Sequence, residues 1–204
     1  MSLQPYMKAQ FITGGTDSPH TLDIFLDYVC PYSAKMAFKI ENILKPLLGP
    51  GGQHAGKVKL VFRLHPQPWH ATSTYVHEAA LAALRVSPEN FWTFSLALFK
   101  HQEQFFDIPT QDLSARQIRE KLAELAATVL PADTIPAFKD LLAFKGPGLN
   151  SGNGVTDDLK YNIKFARQNS IHVSPTVLWD GLVAAEVSSG WEEKDWIDFF
   201  VKRL

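Results

Sequence analysis

The chain has 204 residues, 46% of them hydrophobic and 20% charged, with 20 basic residues against 21 acidic ones and a formal net charge of −1. That length allows one domain, or one domain carrying an insertion, around a proper core, and the composition excludes a disordered chain. The even charge balance gives no electrostatic footprint for nucleic acid or an anionic membrane, and neither is expected as a partner. No apolar run approaches the roughly 20 residues of a membrane span, and no signal-peptide core is visible near the N-terminus. A single cysteine cannot close an internal disulfide, which adds to the expectation of a reducing, cytoplasmic setting.

In chain order, Ala9-Gln10-Phe11-Ile12 reads as an edge strand, and Gly14 through Pro19 as a turn. Leu22, Ile24, Phe25 and Leu26 form a short apolar run, as in a strand buried on both faces. The run leads through Asp27-Tyr28-Val29 into Cys30-Pro31-Tyr32-Ser33. Pro31 suits a first helical turn, where its missing N–H would be unpaired anyway. Behind it Met36, Ile40, Ile43, Leu44 and Leu47 recur at three- and four-residue steps, an amphipathic helix expected to close at Pro46 and Gly49-Pro50-Gly51-Gly52. Cys30 therefore falls at a helix N-terminus, where unpaired N–H groups and the macrodipole favour an anion, and the thiolate is the reactive form of a thiol. The competing reading is a buried, inert cysteine.

Val58, Leu60, Phe62 and Leu64 alternate with Lys57, Lys59, Val61 and Arg63 as a second core strand, ended by His65-Pro66-Gln67-Pro68-Trp69-His70. The pattern then turns helical. Tyr75, Val76, Ala79, Ala80, Ala83 and Leu84 form one stripe, and Ser87-Pro88-Glu89 reads as the cap of a second helix. Ser114 caps a third, a fourth runs about 135–144, and residues 146–154 are the clearest loop. A further helix is expected at about 156–169. Asp180-Gly181 is a two-residue hairpin signal between the strand ending at Trp179 and a partner over Leu182–Val187, and a last helix spans about 192–203.

Asp23 and Asp27 are within reach of proton-transfer roles by position. The plainer expectation sets one facing solvent and the other on nearby backbone groups. His65 and His70 read as solvated loop residues, with no Cys-x-x-Cys or His-x-x-x-His spacing beside them, so no metal site is expected.

The chain resembles the DsbA-like branch of the thioredoxin superfamily, which also holds kappa-class glutathione transferases and 2-hydroxychromene-2-carboxylate isomerases. The resemblance rests on Phe25-Leu26-Asp27-Tyr28-Val29-Cys30-Pro31-Tyr32-Ser33 and on Val173-Ser174-Pro175-Thr176-Val177, which is similar to the family's cis-proline loop. It implies an α/β fold: a thioredoxin-like domain over residues 1–70 and 151–204, with an all-helical insertion over 71–150. It also implies catalytic roles for Cys30 and Ser33, and substrate contacts from Pro31, Tyr32, Val173, Ser174 and Pro175.

The departures from the family matter for function. Disulfide oxidoreductases of this branch carry cysteine at both ends of the four-residue motif, whereas this chain has Ser33; the transferase and isomerase branch typically carries serine first, whereas this chain has Cys30. The expectation is a monothiol oxidoreductase with no bound cofactor, glutathione as co-substrate, and glutathione or protein thiols and disulfides as partners. The alternatives are a glutathione-dependent transferase or isomerase of the kappa type, and a non-catalytic thioredoxin-fold binding protein. A homodimer is left open.

Overall fold

Strand β1 (Phe11–Thr13) lies at one edge of a five-stranded sheet, after a 3-10 turn over Pro5–Gln10 in a computed structural model that describes residues 3–204. Strand β2 (His20–Leu26) is buried at every position from Thr21 onward, which is why its apolar run does not alternate. Helix α1 (Pro31–Lys39) follows at once. The helical stretch closes at Gly49, within the expected stop. A π turn over Ile40–Leu44 connects α1 to α2 (Lys45–Leu48), with the Lys45 N–H reaching back to the Ile40 carbonyl. The wider turn immediately before Pro46 accommodates a residue with no N–H to give and a ring that crowds the preceding turn.

Strand β3 (Val58–Leu64) pairs with β1 antiparallel and is also the neighbour of β2. The helical stretch then runs through α3 (Ser73–Val86), α4 (Phe91–Lys100), the single turn α5 (Asp107–Thr110), α6 (Ala115–Ala127), α7 (Ile135–Leu142) and α8 (Thr156–Gln168). Strands β4 (Thr176–Trp179) and β5 (Leu182–Val183) and helix α9 (Glu193–Val201) complete the chain. The sheet order is β1-β3-β2-β4-β5, with β4 antiparallel to both β2 and β5. Asp180 and Gly181 join β4 to β5 with φ of 49° and 86°, the left-handed pair that a two-residue hairpin requires. The expected partner strand is shorter than Leu182–Val187. One more ladder bond forms, from the Ala184 N–H to the Val177 carbonyl, and the backbone then turns.

Two compact units result. One contains the residues up to Leu26, Cys30–Arg63 and Val173–Leu204; the other contains Asp27–Val29 and Leu64–His172. This division differs from the boundaries expected at 70 and 151. Helix α8 groups with the helices because Asp158, buried at its start, takes a two-pronged pair from Arg85 of α3, at 2.7 Å from Nε and 2.6 Å from Nη2. Helix α3 is the centre of that unit. Val76 through Leu84 are all buried, so it is covered all round rather than on one stripe. At α6 the expected cap is present in full: Ser114 and Gln117 exchange side-chain and backbone bonds as a capping box.

In the sheet unit, Trp196 of α9 is fully buried against Trp191 and Phe200, with Phe199 edge-on to Trp179 of β4. On the neighbouring strands β2 and β3, Asp23 and Arg63 are 1% and 2% exposed and meet at 2.6 Å, Arg63 Nε donating to Asp23 Oδ1. Removing one member of such a pair leaves a buried charge without its partner. Arg63→Met is therefore expected to lower the unfolding free energy by roughly 3–5 kcal/mol, seen as a fall in urea midpoint. The double variant Asp23→Leu/Arg63→Met should recover most of that loss. A single variant as stable as the parent would show that the pair carries no such weight.

Candidate active site

Cys30 is the N-cap residue of α1, in an extended conformation (φ −89°, ψ 121°), with Pro31 opening the helix behind it. Its carbonyl accepts the first helical bond from the Ala34 N–H at 3.1 Å. The thiol points to the loop before β4, where Sγ lies 3.5 Å from the Ser174 carbonyl oxygen. The Ser174–Pro175 peptide bond is cis. Thr176 closes this loop by donating its hydroxyl to the Val173 carbonyl at 2.7 Å.

Ser33, one turn into α1, is fully buried. Its hydroxyl donates to Ser174 Oγ at 3.0 Å. The structure thus brings Cys30, Ser33 and Ser174 into direct contact. Pro31 and Tyr32 flank the first group along the chain, and Val173 and Pro175 flank the last. Cys30 is 5% exposed, but Tyr32 is 68% and Val173 42% exposed, so the cysteine lies one layer below a surface with two large apolar side chains.

Sequence reasoning missed a second polar centre, which lies wholly in the helical unit. Asp27 does not face solvent; it is fully buried. Its Oδ1 accepts from the Ser73 hydroxyl at 2.8 Å and the Val29 N–H at 3.2 Å. Its Oδ2 accepts from the Gln67 N–H at 3.3 Å and lies 2.6 Å from His70 Nδ1. His77, also buried, places Nδ1 2.8 Å from the Ser73 carbonyl and 3.9 Å from Asp27 Oδ1.

The loop histidines are therefore not simply solvated: His70 sits on Asp27 and His65 is buried. Burial pushes the His65 pKa down to about 4. His77 reinforces the shift, while the Asp27 carboxylate and a backbone hydrogen bond at His172 oppose it. Next to Asp27 in the chain, the Tyr28 hydroxyl meets Ser95 Oγ at 2.7 Å; burial raises this phenol's pKa, the Ser95 bond partly offsetting it. The signal that could have flagged this centre is an aspartate directly after the apolar run Ile24-Phe25-Leu26, with three histidines, His65, His70 and His77, in the next stretch of chain. Among the described residues no group of three or more His, Cys, Asp or Glu side chains is arranged to hold a metal ion, and no helix is long and apolar enough to cross a membrane.

A five-stranded sheet whose second strand runs into a cysteine-capped helix, faced by an X–Pro loop and accompanied by a helical unit, defines the DsbA-like form of the thioredoxin fold. The sequence profile described as Thioredoxin matches residues 7–198, and the chain belongs to that family. It is similar in structure to a protein from Pseudomonas syringae described as a candidate protein-disulfide isomerase, at 27% identity over 95% of this chain and 98% of that one, with a TM-score of 0.73. It is similar in fold to Chlamydia trachomatis DsbA (13% identity, 99% and 93% of the two chains, TM-score 0.65). The oxidised form of BdbD from Bacillus subtilis is a further match in fold (19% identity, 99% and 98%, TM-score 0.61). No curated protein sequence matches. The chain thus has a DsbA-like thioredoxin fold and carries a single cysteine.

Two outcomes are expected from this geometry. Ser33→Cys should form a disulfide to Cys30 under mild oxidation, seen as the loss of two hydrogens in the intact mass and of both thiols to alkylation. Persistence of both thiols would mean that the first turn of α1 does not present position 33 to the sulfur. The second outcome concerns pH. Because the folded state holds His65 neutral down to about 4, the unfolded chain alone takes up that proton as pH falls from about 6.5. This contribution to stability is complete above about 6.5 and is lost progressively towards 4. Urea midpoints measured across that window should fall less steeply for His65→Leu than for the parent; parallel curves would remove His65 from the acid response.

Proposed function

We propose that Cys30 works as a lone redox thiol in exchange with disulfides, with glutathione as the second thiol. The Cys30 thiolate attacks one sulfur of a disulfide; a new S–S bond forms as the old one breaks, and the departing sulfur leaves with the electron pair and takes up a proton. Ser33 offers no thiol to resolve the mixed disulfide. A glutathione thiolate does so by attacking it, which returns Cys30 to the thiolate and carries the disulfide away. No net oxidant is consumed.

The observation that carries this reading is the position of the Cys30 sulfur, at the N-cap of α1 and 3.5 Å from the Ser174 carbonyl. A core cysteine kept only for packing has no need of a helix N-terminus. The exposed side chains of Tyr32 and Val173 suit an incoming disulfide that is partly apolar. The substrates in this reading are small mixed disulfides or glutathionylated protein thiols, and the setting is a reducing cytoplasm that supplies glutathione.

Intact mass spectrometry after treatment with oxidised glutathione tests the proposal. One glutathionyl adduct is expected on the parent chain, removed by reduced glutathione and absent from Cys30→Ser. An unmodified mass at neutral pH would defeat the reading. Conjugation of an electrophile to glutathione that survives Cys30→Ser would assign the site to transferase chemistry instead.

A further inference from the structure

The helical unit contains a cleft that the thiol chemistry does not use. It has a volume of about 550 Å³ and lies along α6 and α7, within the range of small-molecule sites, roughly 300–1,000 Å³. Its origin is legible in the helices. Ala115, Arg119 and Ala123 stand at steps of four on one stripe of α6, so alanines flank a single long side chain and leave the space beside it unfilled. From α7 and the residues after it come Leu142, Ala143 and Phe144. The charged lining is uneven: Arg116, Arg119 and Lys139 against the single acid Glu120.

Arg119 is the fixed element of this cleft. Its guanidinium carbon stands 4.8 Å from the Tyr75 ring centroid and 4.4 Å from that of Phe144, so two aromatic rings hold it in place. Nη2 donates to Glu78 Oε2 at 3.0 Å. Nε is buried and has no hydrogen-bond partner. With Nη2 on Glu78 and Nε closed off from solvent, Arg119 serves as the packed floor of the cleft, and the cations open to a ligand are those at its rim. Arg116 and Lys139 are exposed at the rim, whereas Ala123 and Leu142 are buried and apolar.

We infer that this cleft binds a small organic carboxylate with an apolar body. The carboxylate is taken by Arg116 and Lys139 beside Arg119, and the body lies on Leu142, Ala123 and the Phe144 ring. Charge-assisted bonds from Arg116 and Lys139 at the rim supply the orientation, and burial of the apolar body supplies most of the affinity. The site stands independently of the Cys30 chemistry.

Titration of the full chain with 4-phenylbutyrate, followed by amide NMR shifts, tests this inference. Saturable shifts clustered on α6, α7 and residues 143–144 are expected. The uncharged 4-phenylbutyramide should bind at least about tenfold more weakly, since loss of one charge-assisted pair is worth a factor of that order. The rim variant Arg116→Gln/Lys139→Gln, whose side chains are exposed and can be exchanged without disturbing the core, should weaken the acid and leave the amide unchanged. Equal binding of acid and amide, shifts scattered over the chain, or no shift at millimolar ligand would each overturn the inference.

Discussion

The register of β2 against β4 decides which residues the sulfur meets. Leu22 faces Trp179, Asp23 faces Leu178, Ile24 faces Val177 and Phe25 faces Thr176. Because the strands are antiparallel, moving forward along β2 towards Cys30 means moving backward along β4 towards Pro175 and Ser174. The far end is pinned by Asp180, whose Oδ1 accepts from the Thr21 N–H at 2.7 Å while its own N–H donates to the Thr21 carbonyl at 2.9 Å. A slip of one residue would break those bonds and turn every side chain of a doubly buried strand to the opposite face. The 3.5 Å contact between Cys30 and Ser174 is thus a consequence of strand pairing, set before any site residue acts on another.

Elements governed by local chemistry were legible in the sequence. The apolar run of β2, the proline opening α1, the Asp180-Gly181 turn and the Ser114 cap each depend on a few neighbouring residues, and each lies where that chemistry puts it. What the sequence did not show depends on partners far apart in the chain. Asp23 finds Arg63, and Asp27 finds His70, Ser73 and Gln67, across some 40 residues or more, and no spacing rule connects such positions. The π turn over Ile40–Leu44, by which the first helix runs on through Pro46 to its end at Gly49, leaves no mark in the apolar stripe. The position of α8 in the helical unit depends on the Arg85–Asp158 pair, which a linear reading of topology does not contain.

Serine at position 33 changes more than the number of thiols. A hydroxyl is a stronger hydrogen-bond donor than a thiol, and Ser33 uses it on Ser174, fastening the first turn of α1 to the loop before β4. The same residue that removes an internal resolving thiol therefore adds a neutral bond between the two segments that form the site. That bond holds the loop before β4 against α1 without help from the redox state of the motif.

The chain buries two aspartates close together in sequence and satisfies them by different means. Asp23 has a formal counter-charge, Arg63, and a pair of that kind is only as good as its least-solvated member, because either side chain alone is a liability. Asp27 is surrounded by two backbone N–H groups, a serine hydroxyl and an imidazole. Hydrogen bonds to a carboxylate are each worth about 1.5–3 kcal/mol, so several donors together offset its desolvation without requiring a fixed cation. That difference explains why a neutral His65 can be tolerated near Asp27: the carboxylate already has its donors, and burying a protonated ring beside His77 would cost more than attraction to Asp27 returns, in agreement with a pKa pushed down to about 4.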